Sequence, residues 1–196
     1  MTSGGWPTSS SLTRLRATAY KGERQPAPEG KREAGVLLLF DPSQPNLPLL
    51  FTLRNQSLRK HPGQISFPGG SSEPGDADIN ATALREAEEE VGLPPDNVEV
   101  FGSLRPHLTA VSDLWLTPVL GLQLRPWTVK PDPVEVAEWF RIGLDELIRA
   151  EHTTQIWNKS STSATVHFYS AAGRTIWGVT GAILNDLLSL MDPARS

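Results

Sequence analysis

The sequence contains no cysteine, and only 4 histidines and 2 methionines in 196 residues. Zero cysteines exclude disulfides, thiolate metal sites and a cysteine nucleophile, and they fit a reducing compartment. No apolar run reaches the roughly 18 to 20 residues that a membrane helix needs; the run from Val36 to Phe40 has only the length of a strand. The N-terminus shows no basic segment followed by an apolar core of signal-peptide length, so a cytoplasmic location is expected. Charge of neither sign dominates, since 18 Lys and Arg against 22 Asp and Glu leave a formal charge of -4 and a pI near 5.6. That balance exerts no general pull toward nucleic acid or an anionic membrane, and any phosphate site must be built locally.

A composition of 38% hydrophobic and 20% charged residues suits one soluble globular domain. Residues 1–30 mix Ser, Thr, Gly and Pro with basic residues and are expected to form a partly flexible extension. Within it Leu12, Leu15 and Ala19 are spaced as one face of a short docked helix. Residues 31–196 are expected to form a single domain in which strands and helices intermix without an internal repeat. Strands are expected at Ala34 to Phe40, Leu49 to Leu53, Val98 to Leu104, Leu114 to Leu124 and Glu135 to Ile142, with a short extended piece at Gln64 to Phe67. A hairpin should join Thr165–Tyr169 to Thr175–Trp177 across Ala171-Ala172-Gly173. Helices are expected at Ile79 to Val91, stopped by Gly92 and Pro94, at Leu144 to Arg149, and at Val179 to Met191. The tryptophans Trp6, Trp115, Trp127, Trp139, Trp157 and Trp177 are expected mostly in the core, unless one serves an interface or stacks on a base.

The helix at Ile79 to Val91 carries Glu86, Glu88, Glu89 and Glu90. At about 100° per residue, Leu84, Ala87 and Val91 fall on one stripe, and Glu86, Glu89 and Glu90 cluster well around the cylinder from it, with Glu88 nearer the apolar edge. An arbitrary acidic helix is usually a solvated surface partly balanced by neighbours such as Arg85. Here the helix follows Phe67-Pro68-Gly69-Gly70, where backbone can approach a ligand closely and offer carbonyl or amide groups. Carboxylates and glycine carbonyls are oxygen donors of the kind Mg²⁺ or Mn²⁺ prefers, whereas the absence of Cys and scarcity of His argue against zinc.

Gly70 to Leu93 resembles the Nudix box, G-x5-E-x7-R-E-U-x-E-E-x-G-U with U aliphatic. Arg85, Glu86, Ala87, Glu89, Glu90, Gly92 and Leu93 match its second half. In the first half Asp76 stands where the pattern has Glu, and one extra residue separates it from Arg85. The resemblance implies the Nudix fold, an α/β/α sandwich with a mixed β-sheet and a loop–helix–loop that binds divalent metal. It implies Glu86, Glu89 and Glu90 as metal ligands, Gly69 and Gly70 as backbone contributors, and Arg85 as the residue that orients a glutamate, with Asp76 in support. Glu86 and Glu89 are then catalytic candidates. The general base comes either from the box, as Glu86, or from a distant loop, where Glu135 and then Glu138 are candidates.

Leu50 to Gly70 resembles the signature of coenzyme A diphosphatases, L-L-T-x-R-S-x3-R-x3-G-x3-F-P-G-G. Thr52, Arg54, Arg59, Gly63, Phe67, Pro68, Gly69 and Gly70 fall in register, while Phe51 replaces Leu and Asn55 replaces Ser. Coenzyme A carries a 3′-phosphate beside its diphosphate, and Arg54, Arg59, Lys60 and His61 can supply the extra positive charge. The resemblance implies metal-dependent hydrolysis of coenzyme A or a derivative to 3′,5′-ADP and 4′-phosphopantetheine. Hydrolysis of ADP-ribose or another nucleoside diphosphate derivative is the alternative, and a catalytically silent binding module a more distant one. The expected partner is a small molecule, without nucleic acid or membrane, and a homodimer is left open.

Overall fold

The computed structural model describes residues 10–19, 25–58, 60–109, 113–159 and 162–191. The fold is organised around the most apolar stretch of the chain. Strand β1, Arg32–Phe40, is buried from Ala34 onward on both of its faces, the pattern of a central strand. On one edge it pairs in parallel with β7, Leu114–Gln123, from Arg32↔Leu114 to Phe40↔Leu122. On the other edge its end meets β2, Leu49–Arg54, at Phe40↔Leu49, and its start meets β4, Gly69–Ser71, at Val36↔Gly69, both antiparallel.

Strand β3, Ile65–Ser66, pairs with the far half of β2, so the chain crosses from β2 to β1 through Phe67-Pro68. The remaining strands of this mixed eight-stranded sheet are β5 (Val98–Ser103), β6 (His107–Leu108) and β8 (Val136–Ile142). The expected mixed α/β architecture is the one observed.

Helix α2, Ile79–Val91, packs on one face of the sheet. Asp78 caps its start by accepting from the Ala81 amide at 2.8 Å. Its end is closed by Gly92 at φ 66, whose amide reaches Glu88 O at 2.9 Å. Ala83, Ala87 and Val91 join Leu37, Leu39, Leu50 and Val119 in a small core. The close approach depends on Gly35 of β1, where a Cβ would lie 2.8 Å from the Ile79 carbonyl.

The opposite face carries the larger core. There the sheet is covered by α1 (Ser10–Thr18), α3 (Leu144–Arg149), α4 (Gly178–Met191) and a second sheet of β9 (Glu151–Lys159), β10 (Thr162–Ala171) and β11 (Arg174–Ile176). Leu12, Leu15 and Ala19 are buried there as their spacing predicts.

One strand lies beyond the expected elements, and one expectation needs correction. Strand β9 was not foreseen, because all of its residues from Glu151 to Asn158 are exposed and it shows no alternating burial; its pairing with β10 defines it. None of the five described tryptophans is fully buried, and Trp139 and Trp157 are 39% and 49% exposed. They flank the core on β8 and β9, where the sheets end, and Trp6 lies outside the described residues. Among the described residues no helix is long and apolar enough to cross a membrane.

Candidate active site

The carboxylates of α2 do not share one solvated face. Glu90 is 3% exposed, whereas the Glu89 side chain is 58% exposed and Glu86 is 16% exposed. Glu90 falls at the helical spacing of Ala83 and Ala87, so the same periodicity that seats α2 on the sheet carries this glutamate beneath neighbouring chain. Glu88 is exposed, away from the apolar edge on which its spacing placed it.

Arg85 organises the first part of the site. Its Nε donates to Asp76 Oδ1 at 3.0 Å, Nη1 to Glu89 Oε2 at 2.9 Å, and Nη2 to Glu86 Oε1 and the Ser71 carbonyl at 3.0 Å each. Asp76 also accepts from the Thr82 hydroxyl and the Glu73 amide, both at 2.9 Å. The Arg85 hydrogen bonds, more than any other cause, hold the Asp76 carboxyl down at about 2. The extra residue between Asp76 and Arg85 lets the loop deliver Asp76 to the arginine and still place Asp78 at the cap.

Gly69 and Gly70 on β4 supply closeness. A Cβ on Gly70 would stand 2.5 Å from the Glu86 carboxylate, and the Gly69 amide favours the ionised form of Glu90. Gly69 sits at φ 154, against the backbone of Gly35 and Val36.

The second part comes from β2 and the segment before β8. Arg54 Nη1 lies 3.5 Å from Glu90 Oε1, and its Nη2 lies 3.8 Å from Glu135 Oε2. Glu135 is held in place by backbone: Lys130 and Asp132 amides bind the free carbonyls of Val91 and Glu90 at the end of α2, at 3.0 and 2.9 Å. Asn55 completes the clamp. Its amide donates to Glu135 O at 2.8 Å, and its side-chain nitrogen donates to Pro133 O at 3.0 Å. Sequence reasoning noted Asn55 only as a departure from a pattern, and the role of the 130–135 segment leaves no local signal.

Glu138 lies apart from this cluster. It lies opposite Leu53, on the face of the sheet away from Arg54, and binds Arg174 through both oxygens at 3.1 and 2.6 Å. Lys60 is exposed, and His61 is half-buried with Nδ1 2.9 Å from Gln64 Oε1. Arg59 lies outside the described residues.

Burial raises the Glu86 carboxyl above its usual range against the attraction of Arg85. Glu90 is pushed up to about 8, first by burial; Arg54 and the Gly69 amide oppose the rise, while Glu135 and Glu86 add to it. Glu90 Oε2 has no hydrogen-bond partner. Among the described residues no three carboxylates or histidines already converge as a cation cage. The donor chemistry nevertheless fits a hard divalent cation, because Glu86 and Glu90 offer oxygens that are under-neutralised and partly desolvated.

A family profile, the NUDIX domain, matches residues 30–163. The chain is 40% identical over 159 residues to the "Uncharacterized Nudix hydrolase NudL" of Pectobacterium atrosepticum, across 80% of this chain and 81% of that protein. It is 38% identical over 161 residues to the protein of the same name from Photorhabdus laumondii, across 81% and 84%. Among solved structures, a "MutT/nudix family protein from Enterococcus faecalis" gives a TM-score of 0.50 at 14% identity, across 88% of this chain and 64% of that one, a likeness of fold alone. Nudix hydrolases generally use divalent metals. With the box on α2, the profile match and relatives similar over four-fifths of its length, the chain belongs to the Nudix hydrolase family and is a pyrophosphohydrolase.

Proposed function

We propose that this Nudix hydrolase cleaves the internal diphosphate of coenzyme A or a derivative, releasing 3′,5′-ADP and 4′-phosphopantetheine or its acylated form, in the cytoplasm. The observation that carries the reading is the run from Thr52 to Gly70. Its Arg54 approaches Glu90 and Glu135, and its Gly70 lies against the Glu86 carboxylate, so the signature and the box meet in one charged cluster.

Glu86 and Glu90 would hold Mg²⁺ or Mn²⁺, with Glu89 in reserve on the outer side of Arg85. Bound there, the ion supplies neutralisation of diphosphate charge and acidification of water. Arg85, anchored on Asp76, keeps Glu86 aimed at the cluster. Glu135, fixed by Asn55 and the end of α2, accepts the proton as water attacks phosphorus in line, and the anhydride oxygen leaves with the departing phosphate. Arg54, Arg59, Lys60 and His61 bind the phosphates, including the 3′-phosphate that distinguishes coenzyme A.

The test is a panel of coenzyme A, 3′-dephospho-coenzyme A and ADP-ribose, each with Mg²⁺ and with Mn²⁺, with products identified by mass. Coenzyme A should have the highest kcat/KM and yield 3′,5′-ADP. A preference for ADP-ribose would overturn the coenzyme assignment, and no turnover of any diphosphate would favour a silent binding module.

A further inference from the structure

Two arginines pair with neighbouring carboxylates, Arg85 with Asp76, Glu86 and Glu89 and Arg54 with Glu90 and Glu135, and they are satisfied to different degrees. Arg85 donates at 2.9 to 3.0 Å to Asp76, Glu89, Glu86 and Ser71 O. Arg54 makes only long approaches, 3.5 Å to Glu90 and 3.8 Å to Glu135, beyond the range of a charge-assisted hydrogen bond. Its Nε is shielded from solvent and donates to nothing, just as Glu90 Oε2 is shielded and accepts nothing. A shielded guanidinium nitrogen that serves only the fold would be expected to find an acceptor, as each nitrogen of Arg85 does.

The charges are also unequal. Glu90 and Glu135 share Arg54 as their cation, with Glu86 repelling both from beside them, because Arg85 is already divided among Asp76, Glu86 and Glu89. A divalent ion on Glu86 and Glu90 would meet Arg54 as a like charge competing for Glu90. The Arg54 backbone is locked on both sides, its amide on Gln64 O at 2.9 Å and its carbonyl under the Gly63 amide at 3.1 Å. Only the side chain is free to answer that repulsion.

We propose that Arg54 is an exchangeable counter-ion, which neutralises Glu90 and Glu135 until a divalent cation binds and then turns its guanidinium to the diphosphate of the substrate. The inference rests on the reading that Glu86 and Glu90 hold the cation. It gives one residue two successive partners of the same charge, carboxylate and then phosphate, both of which the planar five-donor fork can bind. Metal loading thereby prepares the anion site, and substrate binding follows the cation.

The experiment measures Mn²⁺ binding to the substrate-free protein by calorimetry at pH 8.5, and KM for coenzyme A, in the parent, Arg54→Gln, Arg54→Lys and Glu90→Gln. Arg54→Gln should bind Mn²⁺ about tenfold tighter, because a competing positive charge is gone, while its KM rises about tenfold or more. Arg54→Lys should stay near the parent in Mn²⁺ affinity, and Glu90→Gln should lose Mn²⁺ binding. A merely structural arginine would not move the two constants in opposite senses. Unchanged or weaker Mn²⁺ binding in Arg54→Gln, with binding still lost in Glu90→Gln, would overturn the exchange and leave the cation site standing. Equal binding in Glu90→Gln and parent would overturn the cation site itself. A second measurement uses the unmutated protein: saturating Mg²⁺ should speed solvent exchange of the Arg54 Nε–H proton and leave that of Arg85 slow, and unaltered Arg54 exchange would refute the release.

Discussion

Strand β2 turns one face to the larger core and the other to α2, and the two faces are built from different residue types. Leu49, Phe51 and Leu53 point into the larger core beneath α4 and the second sheet, where Phe51 lies 4.8 Å from Phe67 and 5.7 Å from Phe140 by ring centroids. Leu50, Thr52 and Arg54 point toward α2, and along that face apolar packing gives way to a hydroxyl and then a charge. The face that lacks apolar filling at its far end is the face that gathers Glu86, Glu90 and Glu135. One strand thus serves both faces, since successive side chains point to opposite sides of a sheet: stability accumulates on one, and the other holds Glu86 and Glu90, which burial makes reluctant to ionise.

The comparison can be broken from either side. The largest expected effect is on the charged face, where Glu86→Gln should lower kcat/KM about 10³-fold, roughly 4 kcal/mol of barrier, with the thermal midpoint little changed. Loss of stability in parallel with activity would show that the two faces are not separable. Next is Phe51→Ala, which should cost about 3 kcal/mol in urea unfolding because a fully buried ring is removed from an aromatic stack, while the folded fraction keeps its turnover number.

The third prediction concerns pH in metal-free protein. Glu90 titrates near 8 when folded against 4.5 for an ordinary glutamate, so between those values the folded state binds the extra proton. Stability should therefore fall as pH rises from about 4.5 to about 8 and level off above, with a slope of at most about 1.4 kcal/mol per pH unit. Glu90→Gln should flatten that slope, and a parent already flat across the window would remove Glu90 from the buried cluster. The smallest effect is on the helix that joins the faces: Asp78→Ala removes the cap and should lower unfolding free energy by about 1 kcal/mol, without altering metal affinity.

Much of this was legible because the signals are local. The continuous apolar run at β1, the cap-to-glycine span of α2 and the spacing of Leu12, Leu15 and Ala19 each express a periodicity or stop signal within a few residues. Strand β9 escaped because its residues carry no apolar alternation, and a strand with two exposed faces is defined only by its partner. The position of Trp139 and Trp157 outside the core was not legible because bulk and apolarity do not say whether a residue sits on a central or an outer strand.

By itself the sequence determined which residues are the candidates for the chemistry: the carboxylates of α2, the arginine between them and Asp76, and the glycines that let β4 come close. Only the tertiary structure decided how they divide. It buried Glu90 and left Glu89 outside, turned Glu138 to the wrong face, and brought Glu135 to Arg54 through backbone bonds from Asn55, Lys130 and Asp132. The reason is physical. Residue type and helical spacing are properties of a short segment, whereas burial and the pairing of charges depend on which distant backbone covers them.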